Sequence, residues 1–178
     1  MALAPPVSTL TGRKNAVAMT KATAGPIPVK VEHRIGVQAP SEVIWELVYD
    51  IADWSRWNPL HRGAEGEIRI GARLLTTEAL PGLPERPATL QVMEWVPHEQ
   101  LHLRNSALRG WVKSIRYIEI EQLSEAACIV STGEIFAAGM LTSLHLRKSR
   151  RPLRLAFTAH GEALKAEAEA RWRARLGG

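Results

Sequence analysis

The chain has 178 residues, enough for one domain with a substantial core and short for two. Its 46% apolar content argues against a disordered chain, and no apolar run reaches the ~18 residues of a membrane-spanning helix. The net charge of +5 is uneven: residues 1–31 hold four basic residues and no acid, residues 135–161 hold five and no acid, and the remainder has 14 basic against 18 acidic residues. A mildly acidic body of this kind does not match a nucleic-acid face, where basic residues spread with aromatics interleaved.

A single cysteine, Cys128, excludes an intramolecular disulfide framework and fits a reducing compartment. With no hydrophobic h-region near the N-terminus, the cytoplasm is the expected location. Residues 1–27 are rich in Pro, Gly and small residues without periodicity, so they are expected to form a disordered extension before a folded domain at 28–178. This basic, acid-free segment also has the composition of a transit peptide, and Met19 offers an alternative start.

Val29, Val31, His33, Ile35 and Val37 alternate with Lys30, Glu32, Arg34 and Gly36, which predicts a first strand with one buried face. Pro40 and Ser41 follow, with Ser41 as the expected N-cap of a helix whose apolar face is Val43, Ile44, Leu47 and Val48. Asp50 and Asp53 suggest a break and a second short helix, closed by Asn58-Pro59. Strands are then predicted near residues 65–70, 72–80, 89–96, 100–106, 112–123 and 127–136. The segment 81–87 reads as a loop, and the short connections favour antiparallel neighbours. Trp111 and Ile115 compete with Val112, Ile118 and Ile120 for the inward face of the strand over 112–123, so its orientation stays open. A long helix is expected from about Arg151 to Leu176, with Pro152 in its first turn. Leu153, Phe157, His160, Leu164, Ala168 and Trp172 form its inner stripe.

The order of these elements resembles the SRPBCC superfamily, the START-related, birch-pollen-allergen-like group. The stretches that carry the likeness are Ala39-Pro40-Ser41-Glu42-Val43-Ile44-Trp45, Trp54-Ser55-Arg56-Trp57-Asn58-Pro59, Val92-Met93-Glu94-Trp95-Val96-Pro97, Gly133-Glu134-Ile135-Phe136 and Gly161-Glu162-Ala163-Leu164-Lys165. They span about residues 29–176, and the polyketide cyclase/dehydrase-type branch is nearest. The resemblance implies an α+β helix-grip fold: a curved antiparallel sheet of six or seven strands, two short helices, and a long C-terminal helix covering a cavity. It implies a container for a hydrophobic or aromatic small molecule, a lipid included. Fold alone does not deliver function, because the group spans carriers, receptors and enzymes.

A ligand cavity of the ordinary kind has about 300–1,000 Å³. The residues expected to line it are Trp57, Asn58, Arg104, Arg116, Glu134, Phe136, Phe157, His160 and Leu164. Glu134 shares a strand face with Cys128, Val130, Thr132 and Phe136. As an inward carboxylate it either works as an acid or base or pairs with Arg104 or Arg116. His160, beside a helical glycine, is either a donor or general base for a ligand or a satisfied core histidine. The favoured reading is a non-catalytic binder; the alternative is a cyclase-like enzyme using His160 and Glu134. Trp57 suits the mouth of a site for an aromatic ligand. No cofactor or metal is implied, since Walker, GxGxxG, HExxH and CxxC patterns are missing. The run Arg147, Lys148, Arg150, Arg151 reads as a basic loop, either plain solvated charge or a contact for anionic lipid or a nucleic-acid backbone. No specific nucleic acid is expected, and the chain is read as a monomer or homodimer.

Overall fold

A computed structural model describes residues 28–177; the predicted extension over 1–27 lies outside the described residues. Strand β1 (Val29–Val37) is followed by α1 (Ser41–Tyr49), a single 3-10 turn (Ile51–Asp53) and α2 (Trp54–Trp57). Six strands come next: β2 (His61–Glu65), β3 (Arg73–Glu78), β4 (Arg86–Val96), β5 (Gln100–Ala107), β6 (Val112–Ser124) and β7 (Ala127–Phe136). Helix α3 (Met140–Leu176) closes the chain. All seven strands form one antiparallel sheet in the order β1-β7-β6-β5-β4-β3-β2. The helix-grip α+β architecture expected from the residues is therefore present.

Several boundaries differ, each for a local reason. Ser41 begins α1 rather than capping it: Pro40 holds the extended cap conformation, and Ser41 Oγ donates to Gln122 Oε1 at 2.7 Å. Strand β2 occupies 61–65, so the Gly-punctuated segment after it is a turn, and β4 begins at Arg86 because that residue pairs with Glu78 of β3. The basic run is not a loop. It belongs to α3, which starts at Met140, 11 residues before the expected first turn, and carries Pro152 in its interior. Proline removes one intrahelical donor, that for the carbonyl of Lys148. Lys148 is exposed, so water can satisfy that carbonyl.

The face of the sheet that α3 and α1 cover is built by strict alternation, with Leu101 and Leu103 from β5, Ile118 and Ile120 from β6, and Cys128 and Val130 from β7 inside. These pack with α1, Trp54, Leu164 and Ala168 in one apolar cluster. Val31, Leu60, Leu80, Val112, Phe136, Leu153 and Phe157 form a second. Between the clusters inward polar residues from α2's end, β2, β3, β5, β6, β7 and α3 form a belt: Asn58, His61, Glu78, Asn105, Ser114, Arg116, Thr132, Glu134 and His160, all buried.

Helix α3 crosses β1 at its closest over Gly161, where an added Cβ would sit 2.6 Å from Cδ2 of His33. In an exposed helix Gly→Ala stabilises by roughly 1 kcal/mol. Here the expected sign is reversed: Gly161→Ala should lose about 1–3 kcal/mol through overpacking, read as a lower urea midpoint at unchanged m-value. A stabilised variant would show that the helix is free to move off β1.

Candidate functional site

The belt is organised around Arg116, which is 3% exposed on β6. Its Nη2 donates to Glu134 Oε2 and to Glu78 Oε1, each at 2.6 Å, and its Nε reaches Glu134 Oε2 at 3.2 Å. Glu134, wholly buried, receives Asn105 Nδ2 at 3.0 Å and the hydroxyl of Ser114 on its other oxygen. Glu78 takes Nε of the more exposed Arg86 at 2.6 Å. Two carboxylates are thus matched by two guanidinium groups, the condition under which buried charge is tolerated. Burial alone would push the Arg116 guanidinium towards neutrality, but Glu134 and Glu78 outweigh it and keep the group charged. Burial likewise works to raise Glu78, and the charges of Arg116 and Arg86 overcome it, holding that carboxyl below its ordinary range.

Arg116 Nη1 lies 3.2 Å from Nε2 of His61. A guanidinium only donates, so this nitrogen must accept, and the His61 proton resides on Nδ1. Nδ1 faces Thr76 Oγ1 at 3.4 Å, and Thr76 in turn donates to the carbonyl of Gly63 at 2.6 Å. Burial, then the neighbouring Arg116 and His160, pull the His61 pKa well below its usual value and keep the ring neutral.

His160 reaches the belt from α3. Its ring stacks on Trp57 with centroids 5.5 Å apart, and burial, reinforced by Arg116 and His33, pushes its pKa down to about 3. Neither of its nitrogens has a partner, nor do Trp57 Nε1 and Asn58 Nδ2. Asn58 uses its Oδ1 to accept the backbone N–H groups of Leu60 and His61, both at 3.0 Å. Buried polar groups are nearly always paired, and here four atoms without a protein partner cluster on three residues, at the end of α2 and on the facing stretch of α3.

The space beside them is small. An enclosed void of about 10 Å³ is lined by Trp54, Asn58, His61, Arg116, Phe157 and His160, among others. That is the size of one water molecule, not the several hundred Å³ expected from the sequence. The alanines of α3 leave no hollow because Phe157 lies over Arg116, 5.6 Å from ring to guanidinium, and Trp54 and Trp57 fill the end under α1.

Of the residues singled out from sequence, Trp57, Asn58, Arg116, Glu134, Phe157 and His160 converge on this region. Phe136 and Leu164 lie in the apolar clusters on either side. Arg104 does not belong: β5 turns Leu101, Leu103 and Asn105 inward, so Arg104 is exposed on the outer face near Gln91. The partner of Glu134 is Arg116. His61, Glu78, Asn105 and Ser114 join them, each a buried polar residue of its strand that the sequence analysis does not single out. Cys128 is buried, its thiol pKa is raised by burial, and it donates weakly to the Ala39 carbonyl, so it is not an activated nucleophile. Among the described residues, no group of three or more His, Cys, Asp or Glu is placed to hold a metal ion.

Neither a family model nor a curated protein sequence matches the chain. Solved structures do. The Zhui aromatase/cyclase from Streptomyces sp. R1128 superposes with a TM-score of 0.67 at 20% identity, covering 85% of this chain and 99% of that one. Norcoclaurine synthase from Thalictrum flavum, in complex with dopamine and hydroxybenzaldehyde, gives 0.62 at 13% identity over 91% of this chain and 95% of the other. A START superfamily protein from Mycobacterium smegmatis gives 0.58 at 17% identity over 82% and 97%. These three differ in what they do, and what they share with this chain is architecture: the chain has the helix-grip fold found in all three.

Proposed function

We propose that the chain binds a small aromatic or otherwise apolar molecule bearing a hydroxyl or carbonyl group, seated between α3 and the sheet against the polar belt. The observation that carries this reading is the set of unpartnered buried atoms on Trp57, Asn58 and His160 beside a residual void. Each buried unpaired group costs about 1–3 kcal/mol, so the closed interior is held against a penalty that a ligand oxygen would relieve. Trp57, Trp54 and Phe157 supply flat apolar walls for the rest of the molecule. Admission requires Phe157, Trp57 or α3 to swing outward, because the void holds nothing larger than water as it stands. A solved relative bound to dopamine and hydroxybenzaldehyde, both hydroxylated aromatics, supports this ligand class.

Thermal unfolding and native mass spectrometry with naphthol, a hydroxyanthraquinone and naphthalene test the reading. A hydroxylated ligand at a hundredfold excess over its Kd should raise Tm by about 5–10 °C, with naphthalene weaker and Trp57→Phe blunting the difference. No shift and no retained mass with any of the three would remove it.

Catalytic turnover is the second reading. Its support is His160, whose two nitrogens have no partner within the fold; a pKa of about 3 makes the ring a weak base while the interior is closed. Glu134 is poorly suited to join it, because Arg116, Asn105 and Ser114 already occupy both of its oxygens. Ring closure of a reactive β-polyketone no faster than in buffer would dispose of this alternative.

A further inference from the structure

The N-terminal half of α3 is not accounted for by the interior site. From Met140 to Arg154 its inward positions, Thr142, Leu146, Ser149 and Leu153, are buried, while Arg147, Lys148, Arg150, Arg151 and Arg154 are exposed. The two halves of the helix treat their cations differently. In the C-terminal half Lys165, Arg171, Arg173 and Arg175 each meet a carboxylate. No acid occurs between residues 135 and 161, and among the described residues none of the five cations of the N-terminal half is in an ion pair. Like charges three and four apart, as in Arg147 with Arg150 and Arg151, oppose helix formation, so the chain carries them at a local cost.

The same outward face is also apolar. Met140 is 84% exposed and Leu144 is 60% exposed; Leu155 lies along the same stripe. Helical spacing places Met140, Leu144, Arg151 and Leu155 within about a third of a turn of one another. At the helix start this stripe meets Trp111, which is 74% exposed and borders the same surface depression as Met140 and Leu141. On the flank, Arg147, Arg150, Arg151 and Arg154 line an open groove of about 670 Å³ against β1.

From this we infer that the N-terminal half of α3, with Trp111, is a docking face for an anionic phospholipid surface. Nucleic acid would use the charges and Trp111 but has no use for the exposed aliphatic side chains of Met140, Leu144 and Leu155 beside them. A lipid interface uses both: cations attract the headgroups, their stems lie along the boundary, and Leu and Trp enter it. The face has no excess of acid anywhere along it to repel such a surface. Binding would also offset the like-charge repulsion within the helix.

The test is flotation of the full chain with vesicles of phosphatidylcholine alone and of phosphatidylcholine with phosphatidylserine, at low and high salt. Duplex DNA provides a parallel arm. Binding is expected only to the anionic vesicles, falling with salt, with a blue shift of tryptophan emission that Trp111→Ser abolishes. Arg147→Gln with Arg151→Gln should weaken partitioning roughly 25-fold, about five-fold per cation, and Leu144→Ser should weaken it without changing its salt dependence. All four positions are exposed, so folding is expected to persist and is checked by circular dichroism. The inference is overturned if the anionic vesicles are not bound, if the Arg147/Arg151 pair of changes leaves binding intact, or if Trp111→Ser and Leu144→Ser have no effect. It is overturned equally if DNA is bound as well as the vesicles.

Discussion

Replacing Arg116 by methionine is expected to lower stability by about 3–5 kcal/mol at neutral pH, among the largest losses any single change in this chain would cause. The change preserves much of the volume and removes the one cation that both Glu134 and Glu78 address. Glu78 keeps Arg86, but Glu134 is left wholly buried with only Asn105 and Ser114 as donors. The pH dependence separates this mechanism from simple loss of packing. In the parent chain the pKa of Glu78 is depressed in the fold, so its contribution is present above the unfolded pKa and is lost as pH falls through the folded one. In Arg116→Met a buried, unpaired carboxyl titrates above its unfolded value, so the variant regains stability as pH falls from neutrality. Urea titrations at several pH values read the two slopes. Adding Glu134→Gln to Arg116→Met should recover part of the loss, because the amide still accepts from Asn105 and Ser114 without a charge to bury. A variant whose deficit is constant with pH, and indifferent to Glu134→Gln, would show that the belt is not electrostatically organised.

That belt also measures how far the sequence could be read. Periodicity locates six of the seven strands and both short helices, because burial of one sheet face forces alternation and burial of one helix face forces the spacing of Val43, Ile44, Leu47 and Val48; β2 lies at His61–Glu65, ahead of the 65–70 expected. The face of β6 could not be chosen in advance. Tyr117 is also buried on the outer side, where it covers Gly133 and donates to Glu32, so hydrophobicity does not distinguish the two phases. The structure turns Val112, Ser114, Arg116, Ile118 and Ile120 inward.

The ring of His61 escapes a reading that begins its strand at residue 65, and the carboxylate of Glu78 sits at the last position of β3, where a charged residue reads equally as the end of a strand. A polar residue in phase with inward apolar ones, as Asn105 is with Leu101 and Leu103, is the signal that points to the belt. The size of the interior was beyond reach. It depends on how α2, β6 and α3 bring Trp57, Arg116 and Phe157 together, and small residues on one helix say little about it. The start of α3 was hidden by the five cations, which read as solvated loop, and by Pro152, whose usual place is a first turn.

Acid stability should expose the buried histidines, and His160→Phe is the sharper probe. In the fold His160 stays neutral down to a pKa of about 3, whereas in the unfolded chain it takes up a proton near pH 6.5. Between those values the unfolded state binds a proton that the folded state refuses, so stability declines as pH falls, by about 1.4 kcal/mol per pH unit for each such histidine. His61, held neutral by burial and by Arg116, adds a slope of the same sign. Phenylalanine keeps the stack on Trp57 and deletes both unpartnered nitrogens. Between about pH 6 and pH 4 the variant should therefore lose stability less steeply than the parent, by about 1.4 kcal/mol per unit, from a neutral-pH value at or above the parent's because two unpaired buried nitrogens are gone. If the slope is unchanged, His160 is already protonated or exposed in solution, and the closed interior is not the state the protein occupies. If the slope changes as expected and the hydroxylated ligands no longer raise Tm, the ring that resists protonation is the same one that recognises the ligand's oxygen. Burial, neutrality and an unmet hydrogen bond are then one property of His160, since the same burial keeps a proton off the ring and leaves its nitrogens without a protein partner.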